Sequence, residues 1–273
     1  MSLSVIIVNF NTKDLLKKCL ESIPSSIQYS VFSIQIIVVD NGSTDGSVDM
    51  IKGTIIHNTK FKIRLIENQT NLGFAKAVNL AIRQGQDGPV LLLNSDTFVK
   101  KGAIEKLLKF EEQVRPAIIG ARMLNPDGTF QGSCFYLPTI DRAVKEYWFG
   151  KSGYFSKYAP TGDKPVEVEA VSGGAMLISR GVIDKIGLLD ERYFFYFEDL
   201  DYCRRAQKAG FKIYFLPSAQ IIHEHGASGK NLANESNQWR RMIPSSKIYY
   251  GLFKYYLITL IIWLGQKLSV KIK

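Results

Sequence analysis

Residues 89–96 read PVLLLNSD, a proline and four apolar residues followed by Asn94, Ser95 and Asp96. A continuous apolar run of this length predicts a strand that is buried on both faces. A helical pattern follows over 102–110, which is typical of a β-α unit. The stretch therefore predicts a buried parallel strand with polar side chains at its carboxyl end.

Similar apolar runs occur on the amino-terminal side of this strand. Leu3–Val8 and Ser33–Val39 are continuous runs, and Lys62–Ile66 is a third candidate strand. Helical patterns separate them, the first starting at Thr12, the second after the turn 41–47 and the third over 73–83. Strands that alternate with helices predict an α/β fold with a mostly parallel sheet. From about Ile118 the alternation becomes irregular, which predicts an antiparallel or mixed sheet on the other side of the cleft.

Polar residues follow three of the predicted strands. Asn9 and Asn11 follow the first strand, Asp40 ends the second, and Asn94 to Asp96 follow the fourth. Ligands of such sheets bind beyond the carboxyl ends of the strands. A single polar residue there is usually a turn former or a helix cap, but convergence at three strand ends favours one site. A carboxylate at this place can hold a divalent cation, which in turn neutralises a diphosphate.

In the segment 193–205, YFFYFEDLDYCRR, five consecutive aromatic residues run directly into three acids, Glu198, Asp199 and Asp201. Acids in the first turn of a helix are favourable by themselves, and Asp201 can pair with Arg205, so Glu198 and Asp201 have a structural explanation. An aromatic wall beside a carboxylate also raises its pKa and suits a general base for a sugar hydroxyl.

Two shorter patterns leave alternatives open. His223 begins a His-Glu-His sequence after an apolar run, which is either a metal ligand set or a solvated pair at a strand end. Gly173 and Gly174 precede the apolar run 175–178. They allow either a close approach of backbone to a ligand or a β-bulge.

The charge distribution excludes several classes of function. The net charge is +10, and seven bases and no acid lie between Ser236 and Lys273, so the rest of the chain carries 10 − 7 = +3. A nearly neutral body argues against a nucleic-acid partner. The region after the first strand, VNFNTKDLL, lacks the glycines of a dinucleotide-binding, P-loop or nucleotidyltransferase phosphate loop. Three scattered cysteines indicate free thiols in a reducing compartment.

The basic tail is also apolar. Ile248–Gly265 is interrupted by Lys254 alone, which is borderline in length for a membrane span. Its tyrosines and Trp263 favour a helix that lies in the membrane interface rather than one that crosses it. The alternative is a helix packed on the domain or in a dimer interface, so a homo-oligomer stays open.

Taken together, these segments resemble the family 2 glycosyltransferases with the GT-A fold, particularly the bacterial rhamnosyltransferase-like members. The resemblance covers roughly residues 3–230, and its motifs are VIIVNFN, VVDNGSTDGS, NLGFAKAVNLAI (71–82), LLLNSD, SGGAML (172–177) and FFYFEDLDYCRRAQKAGFKIYFLP (194–217). It implies a Rossmann-like nucleotide-binding sheet flanked by helices and merged with a smaller mixed sheet on the acceptor side. The catalytic domain would span 1–235, with the nucleotide-sugar half at 1–115 and the acceptor and base half at 116–235. A membrane-associating helical tail would span 236–273.

The resemblance also implies a reaction, an inverting single displacement that moves a sugar from a nucleotide-sugar to a hydroxyl. Asp40 would contact the nucleobase, and Asp96, helped by His223, would bind Mn²⁺ or Mg²⁺. The Glu198–Asp199 pair would supply the base, with Asp199 deprotonating the acceptor. Further contacts to the nucleotide-sugar would come from Asn9, Asn11, Asn71, Gly73, Lys76, Asn94, Ser95, Gly173 and Gly174.

One departure concerns the metal site, because the family's usual Asp-x-Asp is Asn94-Ser95-Asp96 here, with one carboxylate instead of two. The rhamnosyltransferase-like resemblance implies dTDP-rhamnose as the first candidate donor, and a UDP-hexose or galactofuranose donor next. It implies a glycan or polyprenyl-diphosphate-linked glycan as acceptor, in surface polysaccharide synthesis at the inner face of the cell membrane. A membrane-bound polysaccharide-binding protein of the same fold, without catalysis, is the competing hypothesis.

Overall fold

The computed structural model describes residues 2–27, 33–57, 61–224 and 238–270. Within these ranges the strands are β1 (Ser2–Asn9), β2 (Ser33–Asp40), β3 (Lys62–Glu67), β4 (Val90–Asn94), β5 (Thr97–Val99), β6 (Ala117–Leu124), β7 (Phe130–Gln131), β8 (Cys134–Phe135), β9 (Val166–Glu167), β10 (Ala170–Val171), β11 (Ala175–Ile178) and β12 (Lys212–His223). The helices are α1 (Lys13–Ser26), α2 (Ser47–His57), α3 (Phe74–Ile82), α4 (Ala103–Val114), α5 (Ile140–Tyr147), α6 (Arg180–Ile186), α7 (Glu198–Lys208), α8 (Gln238–Tyr250) and α9 (Leu252–Val270). The predicted strands and helices of the first half are thus present.

The parallel half of the sheet contains β3, β2, β1 and β4 in that order. Its register places Asn9 opposite Asp40 on the neighbouring strand, and Val8 opposite Asn94. The polar residues at the three strand ends are therefore brought to one edge, as the sequence predicts.

The second half of the chain extends the same sheet. β11 pairs antiparallel with both β4 and β6, β12 runs parallel to β6, and β5 closes the edge antiparallel to β12. A separate two-stranded sheet, β8 with β10, is small. The predicted mixed region is confirmed, and most of it is merged with the parallel sheet.

The core lies on the two faces of this sheet. Side chains that alternate along β1 point to opposite faces, so Ile6 belongs to one apolar cluster and Val5 and Ile7 to the other. The Ile6 face is covered by α3, α6 and α7, and the opposite face by α1, α2 and α4. Tyr249 of α8 is buried in the cluster on the Ile6 face.

The carboxyl-terminal region forms two helices separated by Gly251, which has a left-handed φ of 75°. α8 packs against the segment 195–197 and α9 packs against α5. Among the described residues, no helix combines the length and apolar character that crossing a membrane requires.

Candidate active site

The ends of β1, β2 and β4 form a hydrogen-bonded layer that we call the strand-end floor, made of Asn9, Thr12, Asp40, Asn41, Asn94, Ser95 and Asp96. Asn9 is fully buried, and its Nδ2 donates to Asp40 Oδ2 at 2.8 Å. Thr12 Oγ1 donates to Asn9 Oδ1 at 2.6 Å and lies 2.8 Å from Ser95 Oγ. Thr12 is the N-cap residue of α1 but makes no side-chain cap hydrogen bond to it, because its hydroxyl is engaged in the floor.

Asp40 stabilises the loop after β2. Its side chain is 1% exposed, and its Oδ1 accepts from the backbone N–H groups of Gly42 (3.1 Å) and Ser43 (2.8 Å). These bonds engage both carboxylate oxygens, and the next residue, Asn41, lines the cleft. The contact of Asp40 with a nucleobase stays a prediction. Asn11 also supports the loop, since its Oδ1 accepts from Thr44 N at 2.8 Å.

An open cavity lies over the floor. It is lined by four residues predicted from the sequence, Asn71, Gly73, Asn94 and Ser95, and by residues that the sequence reasoning missed or assigned elsewhere, Val8, Phe10, Asn41, Phe74, Phe194, Phe195 and Arg241. The three asparagines provide amide donors and acceptors that suit the polar groups of a nucleotide-sugar. Lys76, in contrast, is exposed on α3, because the buried face of that helix is formed by Phe74, Ala77 and Val78.

At one end of the floor, Asp96 faces His223. Both are buried, and Asp96 Oδ1 lies 3.2 Å from His223 Nε2. His223 Nδ1 is 2.6 Å from Gln131 Oε1, while Gln131 Nε2 donates to Asn125 Oδ1 at 2.8 Å. Because an amide oxygen only accepts, Nδ1 carries a proton in this arrangement, and a neutral imidazole would present a lone pair at Nε2. Gln131 was not predicted, and no sequence motif marked it.

The Asp96–His223 arrangement fits a divalent cation. Asp96 Oδ1 is buried, accepts no hydrogen bond and lies 3.2 Å from His223 Nε2. In the neutral form of His223, both atoms carry electron pairs. A cation between two such atoms relieves their repulsion. Asn94 Nδ2 is 3.4 Å from the same Nε2, so the amide adjoins this site. Clusters of three or more His, Cys, Asp or Glu side chains are absent from the described ranges. Mg²⁺ and Mn²⁺ accept such a sparse set when phosphate oxygens complete the coordination.

Across the cleft, Glu198 and Asp199 line a second cavity, which shares Phe74 with the first. Burial, together with the neighbouring charge of Asp199, raises the pKa of Glu198 to about 8, and its Oε2 has no hydrogen-bond partner. Asp199 is half-buried, and its two oxygens accept from Leu200 N at 2.8 Å and Gly173 N at 3.1 Å. The raised pKa favours the protonated form of Glu198 at neutral pH, which is consistent with the prediction that Asp199 is the base of the pair.

The segment 173–174 connects the two sides of the cleft. Gly173 N binds Asp199, and Gly174 O accepts from Asn94 N at 3.1 Å. A Cβ atom at Gly174 would lie 2.7 Å from Met123 Cε, so a larger residue there would require this flexible side chain to move. Gly73 requires glycine, because its φ is +84° and a Cβ would lie 2.5 Å from Phe194 O.

The aromatic segment 193–197 divides between core and cleft. Tyr193 and Phe197 are buried in the core, while Phe194 and Phe195 line the cavity over the floor. Tyr196 and Phe197 have left-handed φ values of 68° and 69°, which non-glycine residues rarely adopt outside functional turns. The structural explanation of Asp201 is confirmed, since it pairs with Arg204 at 2.7 Å and Arg205 at 2.9 Å.

An α/β sheet with an amide-rich floor and an opposing carboxylate fits the class of glycosyltransferases. The sequence profile described as Glycosyl transferase family 2 matches residues 4–187, and the chain belongs to this family. It is a glycosyltransferase, as the sequence predicts.

Within this family, the chain is similar to curated rhamnosyltransferases. The chain is 29% identical over 244 residues to an N-acetylglucosaminyl-diphospho-decaprenol L-rhamnosyltransferase of Mycobacterium tuberculosis, covering 83% of this chain and 77% of the relative. It is 22% identical over 253 residues to the rhamnosyltransferase WbbL of Escherichia coli, covering 86% and 88%. The predicted rhamnosyltransferase-like resemblance is confirmed.

Among solved structures, the chain resembles the mannosyltransferase PcManGT of Pyrobaculum calidifontis, which was solved with GDP-Man and Mn²⁺. The TM-score is 0.62 at 15% sequence identity, and the match covers 94% of this chain and 64% of that one. This likeness confirms the GT-A fold.

Proposed function

We propose that this protein transfers a sugar from a nucleotide-sugar to a hydroxyl of a lipid-linked glycan by a metal-assisted inverting displacement. The observation that carries the proposal is the pairing of two unlike carboxylate sites in one cleft, Asp96 beside His223 on the floor and Asp199 beside Gly173 on the opposite side. The first suits a cation and a diphosphate, and the second suits an acceptor hydroxyl.

In the proposed reaction, Asp199 accepts the proton of the acceptor hydroxyl. The hydroxyl oxygen attacks the anomeric carbon, the bond from that carbon to the diphosphate oxygen breaks, and the nucleoside diphosphate leaves with the bonding electrons. Asp96 and His223 would hold Mn²⁺ or Mg²⁺, with Asn94 beside them. A bound metal ion supplies positive charge to the departing diphosphate, so no proton is needed there.

Desolvation assists the base. The cavity beside Asp199 is lined largely by apolar side chains, among them Phe74, Leu92 and Met176. Protonated Glu198 keeps a second negative charge away from Asp199. Water exclusion by these groups strengthens the electrostatic interactions inside the closed site.

The proposed donor is dTDP-rhamnose, supported by the relatives named as rhamnosyltransferases. A thermal-shift series with dTDP-rhamnose, UDP-glucose, UDP-galactofuranose and GDP-mannose, each with and without Mn²⁺, tests it. A ligand at one hundred times its dissociation constant stabilises the fold by about 2.7 kcal/mol. Stabilisation by dTDP-rhamnose that increases with Mn²⁺ is expected. Stronger stabilisation by another nucleotide-sugar would make that compound the proposed donor instead of dTDP-rhamnose. No stabilisation by any nucleotide-sugar would contradict the proposal.

We also propose that the protein acts at the cytoplasmic face of the membrane. Its interfacial surface is formed by exposed apolar residues of α9 and of the loop after α5: Leu252, Phe253, Tyr256, Leu260, Trp263, Trp148 and Phe149. Trp148 Nε1 donates to Ile261 O at 2.9 Å, which joins the two elements. Exposed aromatic residues among lysines are typical of membrane-interface helices. α8, in contrast, packs on the catalytic domain, so we place the start of the membrane-associating segment at Gly251 instead of 236.

A further inference from the structure

Arg241 belongs to the first turns of α8, in the basic segment that the sequence assigns to the tail. In the structure this helix packs against residues 195–197, at the side of the cleft. Ser245 Oγ donates to Phe195 O at 2.8 Å, and the rings of Tyr249 and Phe197 lie 5.3 Å apart. Arg204 Nη1 also donates to Tyr249 O at 3.3 Å. Arg241 is thereby held at the cleft.

The guanidinium of Arg241 reaches the cavity over the floor. Its Cζ lies 5.3 Å from the centre of the Phe195 ring, and the side chain lines the cavity with Asn41, Asn71 and Asn94. Nη1 is buried and has no hydrogen-bond partner. Over the described ranges, Arg241 forms no salt bridge and is the one cationic side chain that lines this cavity.

A buried guanidinium N–H without an acceptor is costly, and the cost is recovered when an anionic oxygen binds. The planar guanidinium matches phosphate oxygens, with which it forms charge-assisted hydrogen bonds. The asparagines of the floor are neutral, so they do not balance a diphosphate charge. Arg241 also lies beyond residues 4–187 that match the family profile, and the match therefore assigns it no role.

We propose that Arg241 is a binding residue for the diphosphate of the nucleotide-sugar, acting beside the cation site at Asp96. This inference rests on the proposed function. It makes α8 part of the nucleotide-sugar site, since the helix carries the guanidinium over the asparagines at the strand ends.

The test compares Arg241→Gln with Arg240→Gln. Both variants remove one positive charge from the same turn of α8, but Arg240 is exposed. The dissociation constants of dTDP, UDP and thymidine are measured by calorimetry in the presence of Mn²⁺. We expect Arg241→Gln to weaken binding of the preferred nucleoside diphosphate by about 10- to 100-fold, in line with the loss of hydrogen bonds to a charged group. Thymidine binding should change less than twofold, and Arg240→Gln should bind as wild type does.

Other outcomes separate the proposals. Unchanged diphosphate binding in Arg241→Gln, or equal losses in both variants, would overturn the assignment of Arg241. A raised KM for a polyprenyl-diphosphate acceptor with unchanged dTDP affinity would assign the guanidinium to the acceptor's phosphates and overturn it as well. Failure of the wild-type protein to bind any nucleotide would instead contradict the proposed function. Arg241→Lys, which keeps the charge but not the planar geometry, should fall between wild type and Arg241→Gln and shows that the helix is still in place.

Discussion

The strand-end floor and the opposite side of the cleft differ in how completely their polar groups are satisfied. In the floor, Asn9, Thr12 and Asp40 bond to one another or to the adjacent loop. The cleft wall, by which we mean residues 194–199 with Arg241, contains Glu198 Oε2 and Arg241 Nη1, which are buried without partners. It also contains the left-handed residues Tyr196 and Phe197.

From this difference we infer that the floor is a preorganised framework, whereas the wall contains polar groups that a bound ligand would satisfy. Buried polar groups are normally satisfied, so unpartnered atoms that adjoin a cleft are candidates for function, although further such atoms lie elsewhere in the described residues. Asp96 Oδ1 is the exception within the floor, at the place where a cation fits. Substitutions in the wall should therefore change ligand binding or turnover, and those in the floor should change the shape of the site.

The largest effect is expected in the wall, from Asp199→Asn. Removing the base should lower kcat by about 10²- to 10⁴-fold. The affinity for the nucleotide-sugar should stay within twofold of wild type, because Asp199 does not line the cavity over the floor. Initial rates at saturating donor and acceptor, with calorimetry of dTDP binding, measure both quantities. Transfer at the wild-type rate would exclude Asp199 as the base, and a wild-type protein that binds but never transfers would favour the non-catalytic hypothesis.

The next effect concerns the cation site of the floor, through Gln131→Leu. This change removes the acceptor that holds the proton on His223 Nδ1. Loss of such an outer hydrogen bond typically weakens metal affinity by about 10- to 100-fold. Titration of Mn²⁺ followed by electron paramagnetic resonance measures the affinity without turnover. Asp96→Asn serves as the reference for a lost ligand. Wild-type Mn²⁺ affinity in Gln131→Leu would show that Gln131 does not orient the histidine.

A smaller effect, on stability, is expected from Glu198→Gln in the wall. Burial raises the folded-state pKa of Glu198 from 4.5 to about 8, so the folded protein retains a proton that the unfolded chain releases. Between these two values the stability of the wild type falls as pH rises, and below 4.5 the group has no such effect. Glutamine does not ionise. The variant should therefore be more stable than wild type by on the order of 3 kcal/mol at pH 7.

Thermal unfolding without nucleotide from pH 5 to pH 8.5 measures this difference. A gain of this size corresponds to a Tm higher by about 6–12 °C near neutral pH, and the gain should shrink towards pH 5. Transfer should be retained, since Asp199 is unchanged. A variant that is less stable at every pH would place Glu198 among the satisfied framework groups and would break the contrast between floor and wall.

The predictable part of the structure follows from local patterns. Apolar runs such as Val90–Leu93 must be buried, and parallel pairing then aligns Asn9, Asp40 and Asn94 at one edge. The individual role of Asp40 was not predictable in this way, because its burial depends on hydrogen bonds from the loop 42–43. Sequence order also does not tell which of the five aromatic residues at 193–197 face the cleft.

The contributions of Gln131 and Arg241 depend on distant contacts. Gln131 lies in a two-residue strand, and its partner His223 is separated from it by 92 positions. The sequence presents Arg241 only as one charge of a basic tail, because the residues adjacent to it along the chain do not indicate that α8 packs on Phe195. The roles of both side chains depend on tertiary contacts, and a local sequence pattern does not reveal such contacts.

Substitutions in the interfacial surface should have the smallest effect on the cleft. They therefore test whether the contrast between floor and wall is confined to residues that face the ligand. Phe253 is 81% exposed and Trp263 is 49% exposed, so Phe253→Ser with Trp263→Ser removes apolar area without opening the core. Binding to vesicles that contain anionic phosphatidylglycerol should weaken about tenfold or more, since each buried aromatic side chain contributes about 1.5–3 kcal/mol.

Affinity for dTDP should match wild type, because neither residue lines the cavity over the floor. The Tm should match wild type as well, because both side chains are exposed. Phe130→Ser, at an exposed aromatic residue away from α9, is the matched control and should float with vesicles as wild type does. Equal vesicle binding by the double variant and wild type would contradict the interfacial surface. A loss of dTDP affinity in the double variant would mean that α9, like α8, is coupled to the wall.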